Sequence, residues 1–258
     1  MRISPKERQS RHVVICISGF LTQDVEKSES WRHVINHFKN SEIFAYNWTS
    51  LKVDSFFESG HYETKKSKGR FWNPWRTFRK QFLWALEQAK LAGISLAIFL
   101  MREDFSKDRA ISFIGHSLGT VIIMHCLNTL YHFYKCGKLH AGRIINDVFL
   151  WAGAAVLNPT GKLAETVQRA TFCGMANGRI NNCFSLKDFV LKYGFMNMIS
   201  KYEPVGLVPI FEEMPTDIQD VKSPCKRAYN YDVTEEAPGH SEYHEAASVI
   251  LERVYESY

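Results

Sequence analysis

Short, continuous apolar runs alternate with longer runs of helical period along this 258-residue chain. Residues 12–20, HVVICISGF, are apolar almost without a break and end in serine and glycine, the pattern of a buried strand entering a tight turn. A polar loop follows, and then Trp31, Val34, Ile35 and Phe38 fall on one face of a short helix. EIFAYNW (42–48) reads as a second strand. The same alternation recurs downstream. A strand is expected over 110–115 and a helix over 118–135, where Val121, Ile122, His125, Leu127 and Leu130 lie near helical spacing. Strands over 145–156, 178–188 and 227–235, a helix near 160–170 and a closing helix over 241–258 complete the pattern. Alternating strands and helices predict an α/β fold, with a mostly parallel central sheet covered by helices on both faces. The length suits one domain, 1–258.

Residues 52–100 break this rhythm. They open polar, turn basic and aromatic, and then take up the spacing of an amphipathic helix over about 75–91. Between His61 and Lys80 seven Lys or Arg residues face a single Glu, interleaved with Phe71, Trp72, Trp75 and Phe78. Lys65, Lys66, Lys68, Arg70, Trp72 and Trp75 are the candidate contacts with an anionic membrane surface. Such a segment also suits stacking on nucleic acid, or a solvated basic face whose aromatics pack on the sheet. Nucleic acid is not the expected partner, and the segment reads as a helical excursion, with a lid or membrane contact and the solvated, sheet-packed face as its two readings.

Composition narrows the classes. Apolar and charged fractions of 45% and 23% are those of a soluble globular protein. No run of 18 apolar residues occurs, so no spanning helix is expected; AGISLAIFLM (92–101) is too short and ends in Arg102, Glu103 and Asp104. The basic N-terminus leads into a strand rather than a signal peptide. Six scattered cysteines without C-x-x-C spacing indicate neither a zinc site nor a disulfide framework. They point to a reducing compartment, hence a cytoplasmic location with peripheral membrane contact.

The candidate chemistry sits at residues 115–119. Gly115-His116-Ser117-Leu118-Gly119 is G-x-S-x-G, which a chain this long shows by chance about one time in ten. Its flanks add the specificity: a buried strand precedes it and a helix follows, as a nucleophile elbow requires. A serine hydroxyl needs a histidine to take its proton and a carboxylate to orient that histidine. In this architecture the chain order is serine, acid, histidine. His240 lies between the last strand and the closing helix, whereas His244 falls inside that helix and should face outward. Asp188 closes a strand, although an aspartate there also serves as a helix N-cap. Asp217, Asp220 and Asp232 are the alternatives. The oxyanion hole would use the backbone N–H of Leu118 and that of Phe20 or Leu21, with Gly19 allowing close approach.

VVICISGFL, GHSLG, GRINNCFSLKDFVLKYGF and YNYDV…GHSEYHEAASVIL resemble, in that order, the α/β-hydrolase region of the DUF726 family, which includes transmembrane and coiled-coil domain-containing protein 4. NPW (73–75) is similar to that family's insertion, and the likeness runs from about 12 to 252. It implies an α/β-hydrolase fold, with Ser117 as nucleophile, Asp188 as acid and His240 as base. Members of the family are longer, with an N-terminal helical region and membrane-associated segments. The 52–100 insertion here is charged where theirs are membrane-like.

The expected function is a serine hydrolase cleaving a carboxylic ester, most naturally of a lipid, by a Ser-His-Asp triad without metal or organic cofactor. Two alternatives stand beside it. One is a non-catalytic adaptor or trafficking protein that retains the fold. The other is a membrane-damaging lipase effector with the same chemistry.

Overall fold

The structure, a computed structural model, describes residues 10–20, 27–50, 74–102, 109–137, 145–156, 174–200, 202–210 and 228–257. Its strands are β1 (His12–Ile17), β2 (Glu42–Ala45), β3 (Ala110–His116), β4 (Ile145–Trp151), β5 (Ile180–Phe184) and β6 (Ala228–Asp232). They form one sheet in the order β2-β1-β3-β4-β5-β6, and every neighbouring pair is parallel. The principal helices are α1 (Arg32–His37), α2 (Pro74–Leu100), α3 (Leu118–Lys135) and α4 (Ala247–Glu256).

The continuous apolar runs are explained by burial on both faces. On β1, Val13, Ile15 and Ile17 join Ile111 and Phe113 of β3 in a core with α2 and α3. Val14 and Cys16 point the other way, meeting Ile114, Phe149 and Trp151 under α1 and α4. Alternation is broken once: Ile145 and Val148 face the same core because the register against β3 shifts between Ile111 and Phe113. The sheet is therefore the middle of three layers. β3 runs one residue beyond its expected end while the other strands are shorter than the apolar runs that predicted them, and α3 spans 118–135 as expected. The helix expected near 160–170 lies outside the described residues.

The helix expected over 75–91 continues to Leu100. Gly93 does not interrupt it, because its missing side chain serves the crossing with α3. A Cβ there would lie 2.5 Å from the carbonyl oxygen of Ile122 and 2.7 Å from His125 Cβ. Phe78–Leu100 is thereby long and apolar enough to cross a membrane by length and composition, contrary to the expectation from contiguous apolar runs. One side of it, Phe82, Ala85, Ala89, Leu96, Ala97 and Leu100, is buried in the core. Trp84, Leu91, Ile94 and Ile98 are exposed on the opposite side.

Burial also sets a pH dependence. Desolvation lowers the pKa of His12, His37 and His125, and lowers that of His116 well below the ordinary 6.5. Below about pH 6.5 the unfolded chain then binds more protons than the folded one, so folding stability falls as pH falls. The melting temperature, followed by circular dichroism, is expected to drop steadily from pH 7 to pH 5. A flat or rising profile over that interval would contradict it.

Candidate active site

β3 ends at His116 and α3 begins at Leu118, which leaves Ser117 alone in the turn between them. Its backbone has φ 55° and ψ −121°, a conformation that costs an L-residue roughly 1–3 kcal/mol. Hydrogen bonds hold it there. The N–H of Ser117 donates to the Trp151 carbonyl at 3.0 Å. Its carbonyl accepts from Thr120 Oγ1 at 2.7 Å and from the N–H of Ala154 at 3.2 Å. Close approach favours the flanking glycines: a Cβ on Gly119 would lie 2.1 Å from the Ile17 carbonyl oxygen, and one on Gly115 would lie 3.0 Å from the backbone carbonyl of Gly119. Strand, turn and helix can only meet this closely without those side chains.

Two more loops at the same end of the sheet complete the arrangement. His240 follows β6, and its Nε2 is 2.9 Å from Ser117 Oγ. Its Nδ1 is 2.7 Å from Asp188 Oδ2. Asp188 follows β5 and is wholly buried; its Oδ1 accepts the Leu191 N–H at 3.0 Å. The network therefore assigns the Nδ1–H tautomer to His240, donating to the carboxylate and leaving Nε2 to accept from the serine hydroxyl. The three side chains come from loops after β3, β5 and β6, at the carboxyl edge of a parallel sheet where ligands of α/β proteins bind.

Neighbouring groups fix this geometry. The indole N–H groups of Trp31 and Trp48 donate to Oγ and the carbonyl oxygen of Ser18, pinning the 18–20 turn beside Ser117. A Cβ on Gly19 would lie only 2.5 Å from that of Ser117. The Phe20 ring stands edge-on to Phe82 at 5.5 Å. Leu118 is the first residue of α3, where backbone N–H groups have no partner within the helix. His116, which the sequence reading did not single out, is buried and donates from Nε2 to the carbonyl of His240 at 2.7 Å. Desolvation, and then the charges of His244 and His240, hold its pKa far down, so it is a neutral strut between the elbow and the histidine loop. Only its position beside the serine, inside a fully buried strand end, could have drawn attention to it.

An apolar cavity of about 310 Å³ opens from Ser117 and His240. Phe78 and Phe82 form one wall, and Phe189, Val190, Leu191, Tyr193 and Phe195 another. The second wall is a π-helical turn, Val190–Phe195, a form frequent at functional sites.

Several expected positions fall elsewhere. His244 is turned inward, its ring edge-on to Trp31 at 4.6 Å and 4.9 Å from that of His116, because the closing segment begins as a 3₁₀ turn over Glu242–His244. The Oδ1 of Asp232 is occupied by the N–H and hydroxyl of Thr234. Leu21, Lys65, Lys66, Lys68, Arg70, Trp72, Asp217 and Asp220 lie outside the described residues, as does the side chain of Trp75. Among the described residues no group of three His, Cys, Asp or Glu side chains could hold a metal ion. The described cysteines, Cys16, Cys126, Cys136 and Cys183, are free thiols.

An all-parallel sheet with a strained serine between its third strand and the next helix is the α/β-hydrolase fold. Comparison with known proteins gives the family. Residues 73–256 match the family described as "protein of unknown function (DUF726)". An uncharacterized membrane protein of Caenorhabditis elegans is 26% identical over 182 residues, 70% of this chain and 25% of its own length. A transmembrane and coiled-coil domain-containing protein of Oryza sativa subsp. japonica is 29% identical over 170 residues, 66% of this chain and 22% of its own. The chain thus spans about a quarter of the length of these relatives. A lipase-esterase related protein from Clostridium acetobutylicum aligns over 99% of this chain and 97% of its own, at 10% identity and a TM-score of 0.43.

Proposed function

From the premise that this chain belongs to the DUF726 family, whose description assigns no activity, we propose that it is a serine hydrolase cleaving a carboxylic ester of a lipid. One observation carries the reading: Ser117 Oγ, His240 and the buried Asp188 stand in line at 2.9 Å and 2.7 Å. That geometry suits proton removal from a hydroxyl.

Ser117 Oγ would attack the ester carbonyl while its proton passes to His240 Nε2. Asp188 holds the imidazole in the Nδ1–H tautomer and stabilises the imidazolium that forms. The tetrahedral oxyanion would be met by the N–H groups of Leu118 and Phe20, each such donor contributing about 3 to 4 kcal/mol to lowering the barrier. His240 then gives its proton to the departing alcohol, and a water activated by the same nitrogen releases the acid from Ser117. No metal is needed for these steps. The apolar cavity beside Ser117 supports a fatty acyl chain as the acid part.

Residues 1–258 are, in this reading, one hydrolase domain, with 52–100 inserted as lid or membrane contact. Association with a membrane is supported by the relatives' names and by the length and apolarity of Phe78–Leu100. Scattered cysteines without C-x-x-C spacing support a cytoplasmic location.

Labelling of the purified chain by a fluorophosphonate probe tests the proposal, because the probe reacts only with an activated serine. Labelling that disappears in both Ser117→Ala and His240→Ala is the expected result. No labelling of folded wild-type protein, with or without detergent, would favour a retired enzyme used as an adaptor.

A further inference from the structure

The cavity beside Ser117 does not end in a polar rim. Three of its lining residues, Phe189, Val190 and Tyr193, are also 68%, 49% and 49% exposed. They stand together on the turn that follows Asp188, with the rings of Phe189 and Tyr193 4.6 Å apart. Apolar side chains that face a cavity on one side and water on the other mark a mouth, and exposed clusters of this kind mark an interaction site.

The first turns of α2 and the turn after Asp188 bring exposed cations to that mouth. Phe78 and Phe82 line the cavity, so the first turns of α2 stand at its mouth, and they carry the exposed cations Arg76, Arg79 and Lys80. The first acid of α2 is Glu87. On the opposite wall, residues 189–200 include no acid, and the ammonium of Lys192 lies 5.8 Å from the centre of the Tyr193 ring. An apolar, aromatic rim set beside Arg76, Arg79, Lys80 and Lys192 complements an anionic phospholipid surface, where rings enter the boundary region and cations meet headgroups. A lone soluble ester would be enclosed by the cavity and would give the rim nothing to contact.

We infer that the mouth formed by residues 76–82 and 189–193 docks on an anionic phospholipid surface. The inference deepens the hydrolase reading by naming where the ester is met: an acyl chain would pass from the bilayer along Phe189 and Tyr193 into the cavity without crossing water. The binding itself does not depend on catalysis.

The test is flotation of the 258-residue chain with vesicles of phosphatidylcholine, with and without phosphatidylserine. Wild type is expected to float with the anionic vesicles, to be released by high salt, and to bind pure phosphatidylcholine at least tenfold more weakly. Each neutralised cation should weaken anionic binding roughly fivefold, so R76Q/K80Q/K192Q should lose about a hundredfold. F189S/Y193S should lose binding even at low salt. Wild-type binding that ignores phosphatidylserine, or either variant binding like wild type, would overturn the inference. Circular dichroism checks that both variants fold. Fluorophosphonate labelling of R76Q/K80Q/K192Q, whose changes lie outside the cavity, is expected to match wild type. Vesicle binding without any labelling would sink the hydrolase reading and keep the docking surface. Labelling without vesicle binding would do the reverse.

Discussion

Ser117→Ala is expected to lower ester turnover by about four orders of magnitude or more and to leave the fold standing. The serine side chain gives the fold one hydrogen bond, to His240 Nε2, and a partly exposed bond of that kind contributes about 1 kcal/mol. Alanine at φ 55° keeps the backbone strain that serine carries, so nothing else changes. Ser117→Gly separates the two roles. It should be equally inactive yet regain part of the strain, because glycine adopts positive φ without the Cβ penalty. Turnover by either variant near the wild-type rate would end the proposal. Loss of activity through loss of folding, seen as a large drop in melting temperature, would also remove its support.

Asp188→Asn is expected to cost about 10⁴-fold in turnover, and its surroundings say why asparagine cannot substitute. Oδ1 accepts the N–H of Leu191, so the asparagine oxygen must occupy that place. The amide nitrogen then stands where Oδ2 was, against His240 Nδ1, and two N–H groups cannot share that position. The imidazole must move its proton to Nε2, the nitrogen that should accept from Ser117. Asp232→Asn, at the alternative acid, should change the rate less than tenfold, because its carboxylate is held by Thr234. Steady-state rates on a soluble ester measure both. A mild effect at Asp188 with a severe one at Asp232 would transfer the role of acid.

Much of the fold was legible because a parallel sheet buried on both faces writes itself as uninterrupted apolar runs. β1 and β3 are of that kind, and α3 follows from spacing alone. The candidate site was legible where chain order and punctuation carry it. Two glycines mark Ser117, a strand end marks Asp188, and the loop before the last helix marks His240. What escaped depends on contacts between distant segments. β4 stops at Trp151 rather than running to 156, because its carbonyl receives the N–H of Ser117 and Ala152 turns at φ 44°. α2 runs on through Gly93 because α3 lies against it. The inward turn of His244 follows from aromatic neighbours, Trp31 just before α1 and His116 on β3, that no local pattern announces. The standing of Phe189, Val190 and Tyr193 at a cavity mouth is set by the loop they share with Asp188.

Among the described residues β6 has a strand partner on one side only, against β5, and the loop after it carries His240. Its peptide groups are consequently protected by one neighbour where those of β3 and β4 have two, and segments held so lightly are the first to open in a native ensemble. The bond from His116 to the carbonyl of His240 clamps the far end of that loop to the centre of the sheet. Between a lightly held edge and this clamp, the serine–histidine contact is expected to open locally without global unfolding. Amide exchange would resolve the two as distinct protection classes, and the working lifetime of the site is set by the lesser of them.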